Sequence, residues 1–321
     1  MGYTRRILDA ELDELFGALA ALAIDGAKGV GKTTTAEQRV ADVVRLDSRA
    51  SREAIEAEPE QLLTHPRPLL LDEWQKVPAV WDVVRRSVDR DRSGGQFLLA
   101  GSAAGATAHS GAGRIGRLRM RPMTLSERGV AEPTVSLREL LSGSRGSLAG
   151  STRLRLSDYV EEIVASGFPG MRDLPARALR FQLDSYLHNA VDRDVPDQGL
   201  AVRRPEAMLA WLRAYAAASA TTASYSQILD AATPGQSDKP ARSTSVAYRD
   251  ALAGIWLLDP VPAWVPVGSG LTRLGQTPKH HLADPALAAR LLDLAPGSLL
   301  GGENESGGAR AACSADCLSP W

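Results

Sequence analysis

The residues best suited to do chemistry form one run of eight, Gly26, Ala27, Lys28, Gly29, Val30, Gly31, Lys32 and Thr33. They fit the pattern G-x-x-x-x-G-K-[ST], in which glycines let backbone N–H groups turn inward around phosphate oxygens. An apolar run, 19–24, precedes them, and a helix-compatible run starting at Thr34 follows. Strand, glycine loop and helix is the context this pattern needs, because the helix N-terminus adds partial positive charge at the phosphate. In that setting Gly26 to Thr34 cradle the nucleotide phosphates. Lys32 reaches the β- and γ-phosphates, and the Thr33 hydroxyl takes Mg²⁺.

A second chemical run lies about forty residues on. Leu69-Leu70-Leu71-Asp72-Glu73-Trp74-Gln75 is an apolar strand ending in two carboxylates. A buried strand delivers such residues to the carboxyl edge of a parallel sheet, where ligands collect. Asp72 is positioned to support Mg²⁺, and Glu73 to act as general base toward water. A third run, 96–102, reads as a strand ending in Ser102, a polar group placed between the acidic pair and a terminal phosphate. Arg114, Arg117, Arg119, Arg121 and Arg128 form a basic stretch. Three readings stay open for it: a solvated face, an arginine finger on a neighbour's phosphate, or a polyanion contact.

The rest of the chain must position these groups. Its 321 residues are 44% apolar, enough for a sizeable core and two or three domains. The net charge of −1 gives no overall signature of nucleic-acid binding. No stretch approaches 18 uncharged apolar residues, so no membrane span is expected. The start lacks an export signal, and both cysteines, Cys313 and Cys317, lie near the end. Those features predict a cytoplasmic protein. Periodicity predicts helices over 5–19, 79–90, 158–165 and 176–193, strands over 43–47 and 118–123, and a short helix near 137–141. Trp74 and Trp81 read as packing residues. Helices over 205–218, 224–232 and 243–253, followed by a hairpin of 255–258 with 261–267, give the order of a winged helix. Such a module can enter DNA, yet Lys239, Arg242 and Arg249 are few for that, and protein packing is the preferred role.

Together these motifs resemble the predicted bacterial and archaeal AAA+ ATPases whose C-terminal half is a conserved region of unknown function. The likeness covers roughly residues 3–295. It rests on Gly26–Thr33, Leu71–Gln75, Ala100–Ser102, Ser110–Arg114 and Arg121–Glu127. In the second half it rests on Gly167–Pro169, Asp192–Asp194, Tyr248–Leu252 and Lys279–Asp284. The resemblance implies an α/β P-loop NTPase sheet of order 5-1-4-3-2, followed by a mainly helical half with a winged-helix module. It implies an ATPase domain over 1–130, a connector over 131–153, a helical subdomain over 154–204, a winged-helix-like module over 205–295 and a disordered tail over 296–321. By the same likeness Glu73, Lys32, Ser102 and Arg114 are catalytic, Arg114 acting from a neighbour in a homo-oligomer, and ATP with Mg²⁺ is the ligand. ATP over GTP also rests on the lack of an N-K-x-D motif.

By the resemblance, members continue into a nuclease-like α/β domain, and the expectation is that this domain is missing here. One choice of codons from Ala312 onward, read out of frame, encodes a phrase resembling that domain's opening. The expectation is a frameshifted, truncated member in which Cys313 and Cys317 have no selected role and apolar surface is exposed. The functional expectation is Mg²⁺-dependent ATP hydrolysis coupled to conformational change. The alternatives are a nucleotide-gated switch that binds protein or DNA with little turnover, an inactive truncated member, and a small-molecule kinase. Against the last, Asp72 and Glu73 supply a water-activating base.

Overall fold

The strands at the centre of the molecule are buried at every position, and apolar but for a closing aspartate or glycine: β1 (Ala21–Asp25), β3 (Leu69–Asp72) and β4 (Phe97–Gly101). Strands buried on both faces belong inside a parallel sheet covered on both sides. The computed structural model, which describes residues 2–103, 111–143, 150–233, 242–263 and 277–300, shows that sheet. β2 (Asp42–Arg45) and β5 (Ile115–Arg119) form its edges, and the order is β2-β3-β4-β1-β5, all parallel. This is the 5-1-4-3-2 order expected from the sequence.

Side-chain alternation along these strands divides the core in two. Ala21, Ala23, Leu69, Leu71, Phe97 and Leu99 face one layer, with Val80, Trp81 and Val84 of α4 (Ala79–Arg90). Trp74 and Trp81 are fully buried there with ring centroids 4.7 Å apart, as packing residues should be. Leu22, Ile24, Leu70 and Leu98 face the other layer, with Leu12 and Phe16 of α1 (Leu8–Ala18) and Ala36 of α2 (Lys32–Glu37). α3 (Arg49–Ala57) and a 3₁₀ turn, Pro59–Thr64, complete this half.

The second core layer runs without a break into the helical half, through Phe168, Leu183, Trp211 and Leu252. That half opens with α5 (Leu137–Leu141), α6 (Leu156–Val164) and α7 (Ala176–Asn189). A π-helical turn, Ala190–Asp194, leads into the short α8 (Val195–Asp197). Then come α9 (Pro205–Ala217), α10 (Tyr225–Ala232), α11 (Arg242–Gly254), α12 (Pro285–Leu291) and α13 (Pro296–Leu300). Ser224 and Gln227 form a capping box at α10, and Asp284 caps α12 through the Ala286 N–H at 2.8 Å.

Three expectations shift. The fifth strand is Ile115–Arg119 rather than 118–123, because it must run in register with β1, Ile115 beside Ala21 and Arg119 beside Asp25. The helix after the glycine loop begins at Lys32, directly behind the left-handed Gly31, and not at Thr34. The segment after α11 pairs with a later one: Leu258 bridges Leu282 and Val261 bridges Lys279, both antiparallel. The expected 255–258 and 261–267 hairpin is therefore not formed as drawn, and 264–276 fall outside the described residues. Ser110, Lys239, Cys313 and Cys317 fall outside them too.

Candidate functional site

Strand register brings the site together. Asp25 lies beside Gly101, and Asp72 beside Ala100. The residues following β1, β3 and β4 therefore emerge side by side at the carboxyl edge: the glycine loop, Glu73 and Ser102. Two glycines in the loop are required by geometry. A Cβ on Gly26 would lie 2.2 Å from the Met120 carbonyl oxygen, and Gly31 has φ +101°.

Lys32 is buried and folds back over the loop, its Nζ donating to the carbonyls of Gly26 (2.8 Å) and Ala27 (2.9 Å). Burial drives its pKa down to about 8, against the opposing pull of Glu73, Asp72 and Asp25. Thr33 donates from Oγ1 to Asp72 Oδ1 at 2.9 Å. Burial raises the Asp72 carboxyl above its ordinary range, and the Thr33 bond partly offsets this. Such a pair of hard oxygens, next to a phosphate cradle, fits Mg²⁺, which is held by one or two protein oxygens together with substrate phosphates. Glu73 sits in left-handed backbone, φ 53°. Ser102 donates from Oγ to Glu73 Oε2 at 2.9 Å.

The structure therefore brings together Lys32, Thr33, Asp72, Glu73 and Ser102 around the loop from Gly26 to Gly31. Thr34 is exposed on α2. Arg114 stands apart. It precedes Ile115, whose register partner Ala21 opens β1, so it lies at the opposite edge of the sheet and pairs with Asp89 at 2.8 Å.

Several residues near the site were given no role there by sequence reasoning, although Phe168, Pro169, Tyr186, Asp194 and Glu127 lie in runs that carry the family resemblance. Arg6 is buried and donates to the carbonyls of Val30 and Arg121, both at 2.7 Å, and pairs with Glu127 at 3.1 Å. Asp25 is buried and paired with Arg117 at 2.7 Å. Phe168 and Pro169 approach the positions a side chain would take at Gly29 and Gly31. From the helical half, Asp194 pairs with Lys28, Asp197 pairs with Lys76 at 2.7 Å, and Tyr186 donates to the Lys28 carbonyl at 3.2 Å. The glycine pattern signals the loop but nothing in sequence spacing signals these partners, which lie 121 to 166 residues from the lysines they meet. Among the described residues no helix is long and apolar enough to cross a membrane.

One family-model match agrees with this geometry. Residues 19–128 match the family model of an AAA domain, and residues 156–298 match that of a domain of unknown function, DUF8612. No curated protein matches the chain. Among solved structures, the Aeropyrum pernix ORC2 protein, in ADPNP–ADP complexes, aligns over 98% of this chain and 96% of that one. Identity is 14% and the TM-score 0.35. With the sheet order, the phosphate loop and the family model in agreement, the domain spanning residues 19–128 is a P-loop domain of the AAA+ class.

Proposed function

We propose that the chain binds ATP with Mg²⁺ in the cytoplasm, hydrolyses it, and transmits the state of the site to its helical half. One observation carries this reading. The two carboxylates at the end of β3 are sorted: Asp72 accepts from the Thr33 hydroxyl and Glu73 from the Ser102 hydroxyl. Loop amides and Lys32 bind the phosphates, while Thr33 and Asp72 hold the Mg²⁺, which neutralises phosphate charge. Glu73 takes a proton from water, and Ser102 orients Glu73. Catalysis of this kind is positioning together with electrostatic stabilisation. Arg114, remote from the loop of its own chain, serves a neighbour's phosphate in a homo-oligomer.

Coupling runs through Lys28 and Lys76, which flank the site and are held by Asp194 and Asp197 of the π-helical turn and α8. A triphosphate in the loop competes with Asp194 for Lys28. This contact responds to binding alone, which is the observation favouring a second reading, a nucleotide-gated switch with little turnover. In either case α9 to α11 and the paired 258–261 and 279–282 segments act as a winged-helix-like module that recognises a client. Arg249 is already paired with Asp250 and lies over the Tyr225 ring, so a protein client fits this module better than DNA. The test is Mg²⁺-dependent ATP turnover, which substitution of Lys32 or Glu73 abolishes.

A further inference from the structure

Glu73 is held in a backbone conformation that is uncommon outside glycine, and such geometry persists only where neighbours fix it. Its side chain is held by Gln75 as well as by Ser102. Gln75 Nε2 donates to Glu73 Oε2 and also to Ser102 Oγ, the latter at 3.2 Å. Because Ser102 donates to the same Glu73 oxygen, the three side chains form a closed triangle. The amide orientation follows from chemistry: an ionised carboxylate only accepts, so the nitrogen of Gln75 must face Glu73.

The other end of the amide is also constrained. Gln75 Oε1 is buried with no hydrogen-bond partner among the described residues, as is Trp74 Nε1. Both crowd the same point beside β4: a Cβ on Gly101 would lie 2.6 Å from Trp74 Nε1 and 3.1 Å from Gln75 Oε1. The missing side chain at Gly101 is what lets the amide reach the triangle. Gln75 and Ser102 also line a cleft of about 320 Å³ shared with Lys28, Lys76 and Asp194. None of the described residues bonds Glu73 Oε1.

We propose that Gln75 is a positioning residue for hydrolysis: by holding Glu73 Oε2 and Ser102 Oγ at once, it leaves Glu73 Oε1 set to receive the proton of the attacking water. This rests on the ATPase reading. As the water oxygen bonds to the γ-phosphorus, one of its protons passes to Glu73 Oε1. The bond from the γ-phosphorus to the bridging oxygen breaks, and its electron pair leaves with ADP. Glu73 then returns the proton to solvent. Gln75 exchanges no proton and touches no phosphate.

The experiment compares steady-state kcat and KM for ATP with Mg²⁺, and the Kd of a non-hydrolysable ATP analogue, across the intact chain, Gln75→Ala and Gln75→Met. Methionine keeps the side chain's bulk against Trp74 and lacks both polar atoms. The expected result is a fall in kcat of about tenfold or more in both variants, with KM and analogue Kd within about twofold of the intact chain. Wild-type kcat in Gln75→Met would reduce Gln75 to packing and overturn the assignment alone. Parallel loss of kcat and analogue binding would overturn it in favour of damage to the loop. No turnover by the intact chain would overturn the ATPase reading and the Gln75 assignment with it.

Discussion

Lys32 shows how a single residue's environment sets conditions for the site. Its ammonium is buried, and its pKa lies at about 8 because desolvation outweighs the carboxylates of Glu73, Asp72 and Asp25, with Lys28 acting in the same direction as burial. Below that pH Lys32 is a cation and binds phosphate directly. Above it the empty site holds a neutral amine, and a bound triphosphate must restore the proton. ATP affinity should therefore weaken as pH rises past about 8, by up to about tenfold per unit. In Lys32→Ala this dependence should vanish. Titration of a fluorescent ATP analogue between pH 7 and 9.5 reads it, and a flat profile for the intact chain would contradict it. Lys32, Thr33, Asp72 and Glu73 were legible in the sequence because each is fixed by spacing within one short run. The pairing of Asp25 with Arg117 and of Gln75 with Ser102 was not, since strand register brings those residues together.

At the scale of elements, the phosphate loop is braced from behind by residues far apart in the chain. Arg6, just before α1, grips the loop at the Val30 carbonyl, while Glu127 holds Arg6 and accepts from the Ile7 N–H at 2.6 Å and the Thr124 N–H at 2.8 Å. Arg6 and Glu127 have side-chain exposures of 5% and 6%, so removing one leaves the other buried without its charge partner. Arg6→Ala should lower unfolding stability by roughly 3–5 kcal/mol and weaken ATP binding with it. Urea unfolding checks this, and a loss below about 1 kcal/mol would show that water replaces the brace. The order of elements was legible from hydrophobic runs, and α4 coincides with its predicted span because five apolar residues mark one face. β5 was less so. As an edge strand it is only partly buried, and its run Ile115-Gly116-Arg117-Leu118-Arg119 carries a weaker apolar signal than Leu118 to Met123.

At the scale of the whole molecule, the sheet domain and helical half share one core layer. They also meet through charged contacts at the site: Lys28 with Asp194, Lys76 with Asp197, and Asp259 with both Arg119 (2.9 Å) and Arg121 (2.6 Å). The lysine pairs are partly exposed, so each contributes at most about 1 kcal/mol to stability. Their value is in coupling. Amide hydrogen exchange over 190–197 should change when ATP binds the intact chain. In Asp194→Asn with Asp197→Asn that difference should disappear, while the melting temperature moves little. An unchanged ATP response in the double variant would remove these contacts from the coupling route. None of this was legible beforehand: Asp192 to Asp194 could be marked as a landmark, but only the fold shows that the turn reaches the phosphate loop.

The most direct measurement is phosphate release from ATP by the intact chain with Mg²⁺, beside Lys32→Ala and Glu73→Gln, with ATP binding measured on each. Turnover is expected from the intact chain and from neither variant, with ATP still bound by Glu73→Gln because only the proton acceptor has changed. Full turnover by Glu73→Gln would contradict the assignment of the base, and ATP binding without any release by the intact chain would contradict hydrolysis as its function.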